Sequence, residues 1–371
     1  MNNILENSVV LITGAAGFVA AHMIEHLIKN TKCKIIGMDS LTYAGTWNRL
    51  RDIKETDHPN SESIYNSSRF TPLTYDFCNK AEPNLIAELE NVTHVFHMGA
   101  ESHVDNSITN PSRFVEANVV GTTNMLEIAR QLPNLDLFVY FSTDEVFGPA
   151  PMKNEDNSFS RAKGYYGYRE TDTHNPKNPY AATKSAAEQL VNAYANTYNL
   201  PCIITRQMNI IGERQHKEKF IPMCIKAAVL GLELNIHATP DKTRAGMRHY
   251  IHARNVADAH LFLLTEKPYL GKKISEVESY HIVGELEVDN LTLARYIHDE
   301  VLRLGKEKGM TVRGVTNFNL VDFHSSRPGH DLRYALDGSK MAGIGWKPPK
   351  TFHESLTKTI DWTLDNLEWA V

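Results

Sequence analysis

Val9-Val10-Leu11-Ile12-Thr13 is an apolar run of strand length. Gly14-Ala15-Ala16-Gly17-Phe18-Val19-Ala20-Ala21-His22 follows it at once and opens a helical run to about Asn30. Strand, glycine turn and helix in that order bring backbone N–H groups against a pyrophosphate at a helix N-terminus. The spacing is GxxGxxA, with Gly14 and Gly17 in the turn. Ala20 stands where a third glycine would serve close helix–strand packing, and a methyl group is tolerated there. Lys34-Ile35-Ile36-Gly37-Met38-Asp39 reads as the next strand. A carboxylate at its end accepts hydrogen bonds from the adenosine ribose hydroxyls and repels a 2′-phosphate, so the expected cofactor is NAD rather than NADP.

The pattern then alternates. Strands are expected over Phe70 to Tyr75, ending in Asp76, and over Thr93 to Met98, ending in Gly99-Ala100-Glu101-Ser102-His103. Helical periodicity runs near Ala81 to Glu90 and over Phe114 to Arg130. Leu137 to Phe141 and Pro201 to Arg206 are further strands. This is the signature of an α/β fold with a doubly wound parallel sheet of the Rossmann kind. From about Met208 the elements shorten, and Arg, His, Lys and Asn recur at loop positions. The expected organisation is an NAD-binding domain over 1–207 and a smaller carboxyl-terminal substrate-binding lobe over 208–371, with the chain crossing back between them. Gly99 and Ala100 at a strand end let a cofactor lie close to the backbone.

The chemistry concentrates in two stretches. Ser142-Thr143-Asp144-Glu145 ends the strand that starts at Leu137, and the carboxyl edge of an open α/β sheet is where ligands bind. Two adjacent carboxylates repel, so one tends to keep its proton while the other ionises, the division that an acid and a base need. Tyr180 and Lys184 lie four apart in an Ala-, Gln- and Leu-rich stretch expected to be one helix. An ammonium beside a phenol lowers the phenol pKa, which makes Tyr180 a candidate general base on a sugar hydroxyl. Lys219, Arg248 and Arg327 are candidate phosphate partners.

With 371 residues, 42% of them hydrophobic, the chain can bury a large core. A formal charge of -5 supplies no basic footprint, so no nucleic-acid partner is expected. Cys33, Cys78, Cys202 and Cys224 show no CxxC spacing and read as reduced thiols. The histidines show no metal-ligand spacing, and no metal is assigned. No apolar run reaches bilayer length and Met1 to Asn7 lack a signal-peptide pattern, so the expectation is a cytoplasmic protein with no membrane partner.

Thr13 to Val19, Asp39-Ser40-Leu41-Thr42-Tyr43-Ala44-Gly45, Ala100-Glu101-Ser102-His103-Val104-Asp105 and Ser142 to Gly148 resemble the extended short-chain dehydrogenase/reductases. More narrowly the chain resembles the dTDP-glucose 4,6-dehydratases, with the UDP-glucose 4,6-dehydratases close behind. Asn178-Pro179-Tyr180 with Lys184, Glu218-Lys219-Phe220-Ile221-Pro222 and Arg327-Pro328-Gly329-His330-Asp331-Leu332-Arg333-Tyr334-Ala335 add to the likeness. The Thr143-Asp144-Glu145 triplet discriminates, since related 4-epimerases carry small or hydroxyl residues at the last two places.

The resemblance implies that Gly14, Gly17, Phe18, Val19, Asp39, Ser40, Leu41, Thr42, Asp76, Phe77, Met98, Gly99, Ala100 and Ser102 bind NAD, together with Tyr180 and Lys184. It places Ser102, Thr143, Asn209, Lys219, Phe220, Asn235, His237, Arg248, Asn290, Arg327, His330 and Asp331 on a nucleoside diphosphate glucose. It implies catalysis by Thr143, Asp144, Glu145, Tyr180 and Lys184, in which C4 is oxidised, water is lost across C5 and C6, and the hydride returns to C6. A homodimer through the helices around Phe114 to Arg130 and Ala186 to Tyr198 is also implied. There are departures at Met208, Ile211, His216-Lys217 and a longer stretch from Ala238 to Met247, all near the nucleotide pocket. The competing readings are a nucleotide-sugar 4-epimerase or decarboxylase and a non-catalytic NAD-binding regulatory protein.

Overall fold

Strands β1 (Val9–Thr13), β2 (Lys34–Asp39), β3 (Phe70–Thr74), β4 (His94–His97), β5 (Leu137–Thr143) and β6 (Cys202–Gln207) occur in chain order, each followed by helical or looped chain. The computed structural model describes residues 5–56, 58, 60–151, 167–268, 277–322 and 331–371. Later come β7 (Asn209–Ile211), β8 (Glu233–Ala238), β9 (Met247–His252), β10 (Glu278–Ile282), β11 (Glu287–Asp289) and β12 (Asn317–Asp322).

One seven-stranded sheet runs in the order β10-β6-β5-β4-β1-β2-β3, every neighbouring pair parallel. All seven residues of β5 are buried, which is why its sequence is apolar without alternation. The order reverses between β1 and β4, and the carboxyl ends on either side of that switch form a crevice. Helix Phe18–Asn30 buries Ala20, Met23, Ile24 and Leu27 against one face. On the other face, Met125, Leu126, Ala187 and Val191 pack with Leu11, Val95 and Phe138.

The strand at the far edge comes from the second half of the chain. β10 pairs with β6, Tyr280 opposite Thr205, and helix Ala253–Glu266 packs its Val256, Ala259 and Leu263 into the core that holds helix Phe18–Asn30. Two smaller sheets, β11-β9-β7 and β12-β8, lie beyond. They share a separate core with Ile225, Leu293, Ile297, Leu356 and Ile360 of helices Phe220–Leu230, Asn290–Glu307 and Phe352–Asp365.

The helix expected over Phe114 to Arg130 starts earlier, at Pro111, and is not uniform. Pro111–Val115 is α-helical, Glu116–Val120 is π-helical and Gly121–Ala129 is α-helical again. The wider turn carries Asn118, whose carboxamide takes the Glu101 N–H at 2.9 Å and donates to Glu101 O at 3.0 Å and Thr183 Oγ1 at 3.0 Å. Such π-turns recur beside functional sites, and this one pins the chain leaving β4. Among the described residues no helix is long and apolar enough to cross a membrane, and no cluster of His, Cys, Asp and Glu is set to hold a metal.

Candidate active site

The crevice is built from the glycine turn upward. Gly14 has φ +66, and a Cβ there would stand 2.7 Å from Gly99 Cα, so the turn after β1 and the end of β4 approach as closely as two backbones can. Thr13 Oγ1 accepts the N–H groups of Met98 at 3.1 Å and Gly99 at 2.9 Å and bonds His97 Nδ1 at 2.8 Å, which fixes that approach. The Phe77 ring fills the space beside Gly99, where a Cβ would come within 2.5 Å of it.

A cleft of about 290 Å³ opens here. It is lined by Gly14, Gly17, Phe18, Val19, Asp39, Ser40, Thr42, Asp76, Phe77, Met98, Gly99, Ala100 and Ser102, and on its far side by Tyr180, Lys184 and Lys219. Asp39 is buried, taking Leu41 N–H on Oδ1 at 2.7 Å and Ala16 N–H on Oδ2 at 3.0 Å. Burial pushes its carboxyl up, while those two N–H groups and Arg49 pull it back. Leu41 is not on the lining: it has φ +54 and its side chain is exposed. Arg49, which the motif reading passed over, donates to Ala16 O at 2.8 Å and Ala44 O at 2.7 Å, tying the loop after β2 to the glycine turn.

Next to the cleft stands the second set. β5 ends at Thr143, and Asp144–Phe147 form a 3₁₀ turn whose Glu145 N–H is capped by Thr143 Oγ1 at 3.3 Å. Thr143 Oγ1 donates to Asp144 Oδ1 at 3.0 Å, while the buried Asp144 Oδ2 has no partner among the described residues. Burial, then the Glu145 charge, raise Asp144 to about 7. Burial raises Glu145 as well, but hydrogen bonds from Asn178 at 2.9 Å and Tyr334 at 3.1 Å, with Arg248 and Lys219, oppose it. Both carboxyls are therefore raised by burial, and they differ in their hydrogen-bond partners.

Helix Pro179–Tyr198 carries Tyr180 and Lys184, capped by Asn178, whose side chain accepts Ala181 N–H at 2.8 Å. The expectation that Lys184 lowers the Tyr180 pKa is not met in this structure. Burial, then the Glu145 charge, hold the phenol above its ordinary value, with a Thr143 hydrogen bond opposing. Lys184 Nζ instead donates to Phe141 O at 2.5 Å and lies 4.3 Å from the Tyr140 ring centre, and burial lowers it to about 7. Helical spacing sets both residues toward the cleft; the strand beside them decides the ammonium's partner.

The expected substrate residues divide. Lys219, which precedes helix Phe220–Leu230, lines the cleft, whereas Asn209 opens β7 without being on the lining, which its neighbour Ile210 joins. Arg248, expected on a phosphate, donates to the carbonyls of Met247 at 2.7 Å, Leu332 at 2.6 Å and Asp331 at 2.5 Å. Asn290 accepts from Tyr250 OH at 2.8 Å. Asp331 is raised to about 6 by burial. Asn235 and His237 lie on the less buried face of β8, Asn235 opposite Asn319 of β12. Arg327 and His330 lie outside the described residues. Sequence reasoning assigned no role to Asn178 or Tyr334, although both fall inside quoted motifs; a polar residue just before a catalytic helix was the available signal.

A parallel sheet in this order, with the glycine turn after β1 and a Tyr-x-x-x-Lys helix beside β5, defines an extended short-chain dehydrogenase/reductase. Residues 11–359 match the family described as GDP-mannose 4,6 dehydratase, and the chain belongs to that family. It is 36% identical over 372 residues to the dTDP-glucose 4,6-dehydratase of Salmonella typhimurium, covering 97% of this chain and 94% of that protein. The crystal structure of DesIV, a dTDP-glucose 4,6-dehydratase from Streptomyces venezuelae with NAD and TYD bound, superposes with a TM-score of 0.77 at 30% identity, covering 97% of this chain and 98% of that one. The UDP-glucose 4-epimerase of Thermus thermophilus shares the fold, with a TM-score of 0.74 at 23% identity over 98% of this chain and 100% of that one.

Proposed function

We propose that the protein is an NAD-dependent nucleotide-sugar 4,6-dehydratase, which converts dTDP-glucose to the 4-keto-6-deoxyglucose nucleotide and water. The observation that carries this reading is the pair Asp144 and Glu145, both buried but with different hydrogen-bond partners, beside Tyr180 at the end of β5. The crevice fits a dinucleotide: the Gly14–Gly99 approach has no room for a Cβ, and Asp39 ends β2 on the same lining. NAD, when bound there, supplies a hydride acceptor that is restored within one turnover.

The residues of this chain do the rest. Tyr180 takes the proton of the C4 hydroxyl, and Thr143 holds the C4 oxygen. Lys184 holds the nicotinamide ribose and, once ionised, eases the phenolate. A C4 ketone acidifies the C5 hydrogen; Glu145 removes it while Asp144, which keeps its proton to about pH 7, protonates the departing C6 hydroxyl, and as C6 takes back the hydride removed from C4, Glu145 returns a proton to C5. Asn209, Lys219, Phe220, Asn235, His237, Arg248, Asn290, Arg327, His330 and Asp331 are assigned to the nucleotide sugar. Residues 1–207 serve mainly NAD and 208–371 mainly the sugar nucleotide, with β10 crossing back.

UDP-glucose is a second substrate in this reading, because the thymine methyl is worth only about 1–3 kcal/mol of discrimination. The homodimer reading rests on exposed Val115, Val120 and Tyr198 on the two helices assigned to it, and the assigned compartment is the cytoplasm. Incubation of the purified protein with dTDP-glucose tests the activity. A 4-keto-6-deoxy product is expected, with NAD released on denaturation; accumulation of dTDP-galactose alone returns the assignment to the epimerases.

A further inference from the structure

Two side chains remote from each other in sequence meet on a single oxygen of Glu145. Asn178 Nδ2 donates to Oε2 at 2.9 Å and Tyr334 OH donates to the same atom at 3.1 Å. The orientation of the Asn178 amide is fixed by its helix cap. Asn178 Oδ1 already accepts the Ala181 N–H at 2.8 Å as the cap of helix Pro179–Tyr198, so the atom facing Glu145 is the NH₂. Tyr334 is buried, its phenol is pushed well above the ordinary value by that burial, and its ring lies 4.6 Å from the Arg248 guanidinium. An oxygen that accepts two hydrogen bonds does not itself carry the proton, and both bonds favour the ionised carboxyl against the burial that raises Glu145. Asp144 differs, with one hydroxyl donor on Oδ1 and a buried Oδ2 that has no partner among the described residues.

We propose that Asn178 and Tyr334 are positioning residues for the elimination half of the reaction: they hold Glu145 ionised by Oε2 and reserve Oε1 as the oxygen that takes the C5 proton. The proposal rests on the base role given to Glu145 above. It gives Asn178 two tasks, because the amide that fixes the base also caps the helix bearing Tyr180 and Lys184. Oxidising and eliminating groups are thereby set in register by one side chain. Among the described residues the other charged or titratable groups acting on Glu145 and Asp144 are Tyr180 from that helix, Tyr334 and Asp331 from the carboxyl-terminal segment, and the cations Arg248 and Lys219. Donors to the charged form favour it, so their removal moves the Glu145 titration upward.

The test uses the full-length protein with Tyr334→Phe, which keeps the ring, Asn178→Ser, which keeps a favoured helix cap but ends short of Glu145, and the two combined. Side-chain ¹³C NMR of labelled glutamate, with the Glu145 signal assigned by its loss in Glu145→Gln, reads the titration without turnover. Exchange of the C5 hydrogen with solvent deuterium across pH reads the elimination half, and nicotinamide absorbance reads the oxidation half. Each single change is expected to move the Glu145 titration and the acid limb of C5 exchange up by about one pH unit, and the combination further. An unmoved titration in the combined variant, with only a lower melting temperature, overturns the proposal. A titration that moves while Glu145→Gln exchanges C5 at the parent rate overturns the base role itself and with it the catalytic part of the proposal.

Discussion

Replacing Asp144 by Asn should stabilise the cofactor-free protein above neutral pH. Asp144 is 6% exposed, so solvent screens it little, and its carboxyl is raised from the ordinary 3.8 to about 7 by burial and then by Glu145. A group whose folded pKa lies above its unfolded one contributes stability that is fully present below the unfolded value and lost as pH rises through the folded value. The interval from 3.8 to about 7 is roughly three pH units, which at ~1.36 kcal/mol each amounts to about 4 kcal/mol. Asn keeps the acceptor that Thr143 Oγ1 uses and places a neutral NH₂ where Oδ2 lacks a partner among the described residues, so near pH 4 the two proteins should match. For 371 residues the melting entropy is about 0.8 kcal/mol/K, so the variant should melt about 5 °C higher at pH 8. Melting curves from pH 4 to 8 check this. Loss of the Asp144 charge also relieves Glu145, which acts in the same direction, so a difference that stays flat across this range refutes the burial argument for Asp144.

Gly14→Ala should abolish the rise in melting temperature that added NAD produces, because φ +66 and a Cβ 2.7 Å from Gly99 Cα cost about 1–3 kcal/mol and part the two backbones that form the crevice; titration calorimetry of NAD binding checks it. Tyr180→Phe should show no change in nicotinamide absorbance in a single turnover, whereas Asp144→Asn with Glu145→Gln should still show it and lose about 10² to 10⁴ in elimination per group; release of product by the double variant at the parent rate would count against both roles. Val115→Glu with Val120→Glu should yield a monomer in light scattering with unchanged far-ultraviolet circular dichroism, since both valines are exposed on the helices assigned to the dimer; a dimer that persists moves the interface elsewhere.

The sequence by itself determined what depends on neighbours a few residues apart. The glycine turn after β1, the acidic end of β2, the strand–helix alternation and the Tyr180–Lys184 spacing are local, and each lies where the pattern placed it. The repulsion between Asp144 and Glu145 was also legible, since adjacency alone requires it. Which of the two receives donors that favour its ionised form was not, because those donors come from 33 and 189 residues away. Lys184 was assigned to Tyr180 by helical spacing, yet its ammonium lies against Phe141 O and the Tyr140 ring because β5 packs under that helix. That Arg248 also gives three of its N–H groups to carbonyls on two segments was not legible. Periodicity carries the shape of each element; the partners of a buried charge are settled only when distant segments pack together, since an unpaired ion in that interior would cost more than the fold has to spare.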